Sequence, residues 1–457
     1  MSENTKTTNI TDFTKGNVSS QLMIFALPLF LSNLLQVVYN TVDMIIVGKV
    51  LGQVGLSAVA IGGDVSSAMT FIVMGFANAA QVIISQYIGS NQRKKLGPFV
   101  STMLTFLLST ALIISIICLT FRRQILIAMN TPAESFGQAL SYSTICMAGL
   151  VFIYGYNSCS AILRGMGDSK HPFIFVSMAA VTNVILDILF VIVFGMKAGG
   201  AALATVISQA LSFICAASFL IKNKDKYELT FDGRFIGIRM EYLLPLIKLG
   251  VPMAIKSAAI IISKLFVNAY INSYGIVISA FTGIANKLSN VANLISQAFN
   301  TSSSSMVGQN LAAEKYDRVG KILITTSVIV AVPMIIFSLL ITFAPEVVYG
   351  LFTSDPEVIQ VGINYIPIAV AMFISNIARA SMNGLINGSG NYRINFATAI
   401  LDGIILRVGL SYLLGLGFGM NEYGFWWGNA IAGYTPFVLG VIFLISGKWK
   451  RKPVSMT

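Results

Sequence analysis

Two aspartates set in apolar sequence are the residues of this chain best suited to chemistry. Asp43 follows Tyr39-Asn40-Thr41-Val42, and Asp187 closes Asn183-Val184-Ile185-Leu186. An acid deep in a membrane helix costs roughly 2.5–3.5 kcal/mol on insertion scales, and such residues commonly bind an ion, a proton or a substrate. On a helix, Asn33, Gln36, Asn40 and Asp43 fall on one narrow stripe. Asn183 and Asp187 are four residues apart and share a face. Thr205, Ser208, Gln209 and Ser212 share another. Tyr142, Gly149 and Tyr156 share a fourth, with Asn157 beside them. Carboxylate, amide and hydroxyl oxygens together suit a hard cation, so Asp43, Asn183, Asp187 and Thr205 are a candidate Na⁺ set. The same two acids suit a shared proton. For the neutral residues, hydrogen bonding between helices is the competing reading.

The second half of the chain has the opposite character. Its apolar segments hold Lys248, Lys256, Lys264, Lys287, Arg379 and Arg407 against the single acid Asp402. Asn376, Arg379, Asn383 and Asn387 form a second polar stripe. Lys256 and Arg379 are the candidate substrate-contacting cations. A basic wall here would bind an anionic group or pair with the first half's carboxylates. The alternative is local pairing of Asp402 with Arg379 or Arg407, with the longer chains snorkelling to the surface.

These residues need spanning helices to position them. Of 457 residues, 55% are hydrophobic and 11% charged, with mean hydropathy +0.78; soluble domains carry about 25% charged residues. Spans of about 20 apolar residues are expected near 18–47, 56–86, 96–120, 135–163, 171–195 and 199–222. A second set is expected near 241–272, 277–306, 319–343, 357–386, 393–417 and 424–447. The fold class is therefore an all-α polytopic membrane protein of twelve helices. With both termini cytoplasmic, Lys and Arg outside the spans divide twenty inside to four outside, which sets the orientation. The net charge of +12 then faces anionic lipid, with no role for nucleic acid.

The two halves match at a nearly constant offset, 223–224 residues at most positions and 219 at one. Pro28 aligns with Pro252, Tyr142 with Tyr365 and Gly200 with Gly424. Gly165-Met166-Gly167-Asp168 aligns with Gly388-Ser389-Gly390-Asn391, and Ile88-Gly89-Ser90-Asn91 with Val307-Gly308-Gln309-Asn310. Each half has six spans, so the repeats are parallel and predict two pseudo-symmetric six-helix bundles. The expected organisation is a tail (1–17), a first lobe (18–222), a linker (223–240), a second lobe (241–447) and a closing tail (448–457), both tails cytoplasmic. Residues 1–17 are polar, and no cleavable signal peptide is expected.

No phosphate loop of the GxxxxGK[ST] type occurs, which leaves ATP binding without a candidate site. The four cysteines, Cys118, Cys146, Cys159 and Cys215, lack metal or redox spacing and read as packing residues. His171, the single histidine, reads as a helix-start residue before Pro172. No catalytic constellation is visible, and no cofactor is expected beyond H⁺ or Na⁺ as a coupling ion.

Twelve spans in two repeats, with Leu27-Pro28 and Tyr39-Asn40-Thr41-Val42-Asp43 in the first, resemble the multidrug and toxic compound extrusion (MATE) family over essentially the whole chain. Asp43 with Asn183-Val184-Ile185-Leu186-Asp187 and Thr205 is similar to the first-lobe cation site of its DinF-like branch. Tyr142 and Asn157 match lobe-lining positions, and Leu163-Arg164-Gly165-Met166-Gly167-Asp168 resembles the family's inner loop. The resemblance implies a monomeric antiporter of the cell membrane, not an enzyme, that exports amphipathic organic compounds in exchange for H⁺ or Na⁺. Asn33, Gln36, Asn40, Tyr142, Asn157, Lys256 and Arg379 would line its cavity. NorM-like members carry an acid in the seventh helix after Gly-x-Pro. Here Gly250-Val251-Pro252 is followed by Lys256 and by no acid, so no second-lobe Na⁺ site is expected. The alternative in the same superfamily is a flippase for a lipid-linked glycan or anionic lipid, which the basic second half would suit.

Overall fold

The first helix, Val18–Gly89, is 72 residues long. Straight, it would measure roughly 108 Å at 1.5 Å per residue, more than three times a hydrocarbon core of about 30 Å. It breaks at Gly52, where φ 62° and ψ −154° leave the helical region. Only a residue without a Cβ takes that conformation cheaply, so one helix supplies two crossings. The structure, a computed structural model, describes residues 9–229 and 237–451. The tail before Asn9, linker residues 230–236 and the last six residues lie outside the described part.

Among the described residues nine helices are long and apolar enough to span a bilayer. Val18–Gly89 counts once there but crosses twice. Ala133–Ala148 and Leu150–Gly165, bent by 47°, make a further crossing. Ile276–Ala312, 37 residues long, is less apolar because Asn286, Lys287, Asn290, Asn293 and Gln297 interrupt it before its Ser302–Ser305 run, and completes the twelve expected. No strand occurs among the described residues.

The chain forms two compact units. One is Met1–Thr11 with Leu31–Ile247; the other is Asp12–Phe30 with Lys248–Thr457. The start of the first helix thus belongs to the second unit. Phe13, Val18, Leu22, Phe25 and Ala26 are buried in that unit's apolar core. The Phe13 N–H donates to Gln309 Oε1 at 2.9 Å. Arg318 donates to the Phe13, Gly16 and Lys15 carbonyls at 2.7–2.8 Å and to Gln21 Oε1 at 2.9 Å.

In the first unit, Lys197–Lys222 packs against Ala133–Ala148, Leu150–Gly165 and Lys170–Asp187. Small residues permit the close approach. A Cβ at Gly149 would stand 2.4 Å from Val206 Cγ2, and one at Gly155 would stand 2.6 Å from the Phe213 ring. In the second unit, Ile276–Ala312 and Pro356–Gly388 form the most extensive helix pair. Gly384 lies directly on Ser303 there, and Gly388 on the Ser304 carbonyl. Both units leave large apolar side chains exposed, such as Ile116, Phe194, Ile335 and Ile445, as helices facing acyl chains do.

The repeat is written into the backbone as well. Left-handed residues recur in pairs at the same offset: Asn91 and Glu314, Gly167 and Gly390, Gly195 and Gly419, Lys197 and Asn421. Gly167 and Gly390 end a helix with positive φ, and the next residue starts the following one. Asp168 Oδ1 accepts from the His171 N–H at 3.1 Å; Asn391 Oδ1 accepts from Arg393 and Ile394. The matched Gly-x-Gly-Asp/Asn motif is therefore a helix stop joined to a helix start. Asp168 also receives the Tyr227 hydroxyl at 2.6 Å and lies 2.5 Å from His171 Nδ1. His171 stacks on Phe219.

Candidate functional site

Asp43 sits nine residues before the Gly52 break. Asp187 is the last residue of Lys170–Asp187, which continues as a π-helix over Ile188–Val193. Single-turn π segments recur at functional positions because they rotate the residues beyond them. The repeat-matched place in the second half is also a π-helix, Leu413–Gly417, but it follows no acid. Asn183 stands one turn before Asp187, and Thr205 lies on the adjacent Lys197–Lys222.

Both acids are enclosed: Asp43 is 7% exposed, Asn183 2% and Asp187 0%. Asn183 Nδ2 donates to Thr205 Oγ1 at 3.5 Å, and Thr205 donates to the Ala201 carbonyl at 3.0 Å. The charge of Asp43 reaches Asp187. Neither makes an ion pair among the described residues. Asp43 Oδ1, both oxygens of Asp187, Asn183 Oδ1 and Ser208 Oγ are buried with no hydrogen-bond partner. Buried polar atoms in a folded protein are almost always partnered. Here five orphans, four of them acceptors only, lie in one unit. That arrangement fits a hard cation or a proton, and the donor set is all oxygen.

Other groups complete the surroundings. The Tyr142 ring is buried next to Gly62, where a Cβ would stand 2.3 Å from Cδ1. The Asp43 charge reaches Tyr142, Tyr39 and Cys146, and the Asp187 charge reaches Tyr142. Cys146 lies against Ser66 and Tyr142, and Tyr39 against Gln209. Ser66 and Cys146 were invisible as site residues in the sequence, because a serine or cysteine in a span carries no charge signature. The remaining expected lining residues are placed differently. Asn33 and Gln36 are half-buried and Asn40 is exposed, so of the first stripe only Asp43 is enclosed. Asn157 returns its amide to its own helix, donating to the Ile153 carbonyl at 2.8 Å. Tyr156 donates to the Pro172 carbonyl at 3.1 Å and does not join Tyr142, because the bend at Gly149 separates their faces.

In the second unit the structure gathers the basic residues around Asp402, which is 0% exposed. Arg407 Nη2 donates to Oδ1 at 2.8 Å and Arg379 Nη2 to Oδ2 at 3.0 Å. Both partners named from the sequence are used at once. Arg407 also holds Asn429, and Lys256 Nζ donates to Asn383 Oδ1 at 2.6 Å. Lys264 lies within electrostatic reach of Asp402 and both arginines. Tyr365, the repeat partner of Tyr142, is packed between Phe281 and Trp426 instead. Separately, an apolar cavity of about 360 Å³ lies between Leu104, Leu108, Cys159, Phe213 and Leu220; it touches neither acid.

The MatE family model matches this chain twice, over residues 28–189 and 252–413, the spacing of the internal repeat. The chain belongs to the MatE family of multidrug and toxic compound extrusion proteins, and it is a multi-pass membrane protein. It is 28% identical over 420 residues to the protein named "Probable multidrug resistance protein YpnP" of Bacillus subtilis, covering 90% of this chain and 93% of that one. It is 24% identical over 428 residues to the multidrug export protein MepA of Staphylococcus aureus, covering 92% of each. Among solved structures, an outward-facing multidrug resistance MATE family transporter superposes with TM-score 0.87 at 20% identity, over 97% of this chain and 99% of that one. A superfamily transporter from Pyrococcus furiosus, described as having a binding pocket of reversed polarity, superposes with TM-score 0.87 at 21% identity, over 98% of this chain and 100% of that one.

Proposed function

We propose that this protein is a secondary antiporter of the cell membrane, monomeric and with both termini cytoplasmic, that exports amphipathic organic compounds in exchange for H⁺ or Na⁺. One observation carries the reading: two enclosed acids in one unit, within electrostatic reach of each other, with three of their four carboxylate oxygens buried and without partners among the described residues. Two negative charges held in such a place without a cation are costly. A proton or Na⁺ removes that cost. In this mechanism Asp43 and Asp187 take the ion, and Asn183 and Thr205 offer further oxygens to it. Ion binding biases the carrier between its two states by the ion's differential affinity for them. The names of the relatives YpnP and MepA support drug-like cargo.

The test is transport in proteoliposomes, with Na⁺ and pH gradients imposed separately and the Asp43→Asn variant run in parallel. Gradient-driven efflux of a drug-like dye by the wild type, and its loss in a variant that remains folded and inserted, is the expected result. Undiminished efflux by Asp43→Asn would exclude Asp43 as the coupling group.

A further inference from the structure

The second unit carries a charge imbalance that the coupling site leaves unexplained. Four cationic side chains, Lys256, Lys264, Arg379 and Arg407, share the single carboxylate of Asp402. All five lie on helices that cross the membrane. Arginine does not give up its proton in proteins. The two guanidiniums alone therefore leave one positive charge uncompensated, whatever the lysines do. Both oxygens of Asp402 are already occupied.

The cluster has a sealed floor and an accessible side. Asp402 and Arg407 side chains are 0% and 3% exposed, and Arg407 Nε is buried with no partner. Arg379 keeps 20% of its side chain exposed, and Lys256 is half-buried. Among the described residues Lys256 is tied only to a neutral amide, Asn383, one turn beyond Arg379. Lys264 makes no hydrogen bond or ion pair among the described residues. Asn376 and Asn387, on the same helix, hold buried amide oxygens without partners. A stripe of one arginine and three asparagines is not a lipid-facing surface; polar groups at membrane depth line the bundle interior or a watered cavity. The accessible members thus present N–H donors and surplus positive charge to whatever enters there. The group that satisfies both is an oxyanion, which accepts from several donors at once.

We propose that Lys256 and Arg379, assisted by Asn383, bind the oxyanion head of an amphipathic organic substrate, so that this transporter carries carboxylates, sulfonates or phosphates. The site is distinct from the acid pair of the first unit. The inference rests on the exporter reading for the direction of transport only; binding is tested apart from it.

The experiment uses the full chain in nanodiscs of phosphatidylcholine, with taurocholate as an amphipathic sulfonate and ethidium as an amphipathic cation. Saturable taurocholate binding is expected in the wild type. Lys256→Gln and Arg379→Gln should each weaken it at least tenfold, and Lys256→Arg should restore it to within about threefold of the wild type. Ethidium binding should not weaken in any of the three. Lys256→Gln can keep a bond to Asn383, and both Gln variants keep the Asp402–Arg407 pair. An unchanged unfolding temperature in Lys256→Gln then separates loss of the site from loss of the fold. The proposal is overturned by no saturable taurocholate binding, by unchanged affinity in both Gln variants, or by equal loss for taurocholate and ethidium. It is also overturned if phosphatidylglycerol in the disc abolishes taurocholate binding, which would assign the site to a lipid head group. Failure of the exporter reading would appear elsewhere, as absent gradient-driven transport in vesicles with disc binding intact.

Discussion

Two buried acids of this protein should respond to the same substitution with opposite signs. Asp402 is sealed and accepts from two guanidiniums at 2.8 and 3.0 Å. Asp402→Asn removes one acceptor oxygen and the only negative charge in the cluster, leaving Arg407 buried without a counter-ion. Breaking a buried pair by deleting one partner costs roughly 3–5 kcal/mol. For a lobe of this size each kcal/mol is worth about 2–4 °C in unfolding temperature, so a fall of roughly 6–20 °C is expected. Asp187 is equally buried, but both its oxygens lack partners. Replacing it by Asn removes a charge that no group among the described residues repays, and a buried unsatisfied group costs about 1–3 kcal/mol or more when charged. Asp187→Asn should therefore leave the unfolding temperature unchanged or raise it. Intrinsic fluorescence during heating in detergent, at one fixed scan rate because unfolding is irreversible, measures both. An Asp187→Asn loss as large as that of Asp402→Asn, or an Asp402→Asn variant within about 1 °C of wild type, would refute the distinction between a structural acid and a functional one.

If protons drive transport, the ceiling counts them. Each proton exchanged per substrate permits about tenfold accumulation of a neutral compound per pH unit, so the pair can support up to about a hundredfold, measured as the steady-state dye ratio in proteoliposomes. Asp187→Asn should bring that ratio to at most about ten. Gly62→Val should drive a side chain into the Tyr142 ring, lowering stability by about 1–3 kcal/mol and disturbing the acid pair; thermal unfolding and efflux report each. Arg318→Ala should release the Phe13–Gly16 carbonyls, and trypsin should then cut after Lys15 at least tenfold faster, as read by the N-terminal fragment on a gel.

Much of this was legible in the sequence, for identifiable reasons. Hydropathy placed the spans because a bilayer demands long apolar runs. The repeat was legible because the left-handed turns at Gly167 and Gly390 tolerate few residues other than glycine. Asp43 and Asp187 stood out because a charge in an apolar run is conspicuous. Ser66 and Cys146 did not, since their role depends on which face a neighbouring helix turns toward them. The π segments after Asp187 and around Asp402 leave no residue signature and shift every later side chain off the ideal stripe. At the bend beside Gly149, which lies between Tyr142 and Tyr156, Val206 approaches from a helix over fifty residues away. That Asp402 serves two arginines at once is a result of packing, because each arginine alone was a plausible partner by spacing.

The membership of Asp12–Phe30 in the second unit has a consequence for biosynthesis. This segment leaves the ribosome first, yet the helices it packs with begin about 220 residues later. At translation speeds of about 5–20 residues per second it waits roughly 10–45 s for its partners. Its apolar residues Phe13, Val18, Leu22 and Phe25 are without their native cover during that interval. Splitting the gene at the central linker would give a carboxy-terminal polypeptide lacking its first packing element.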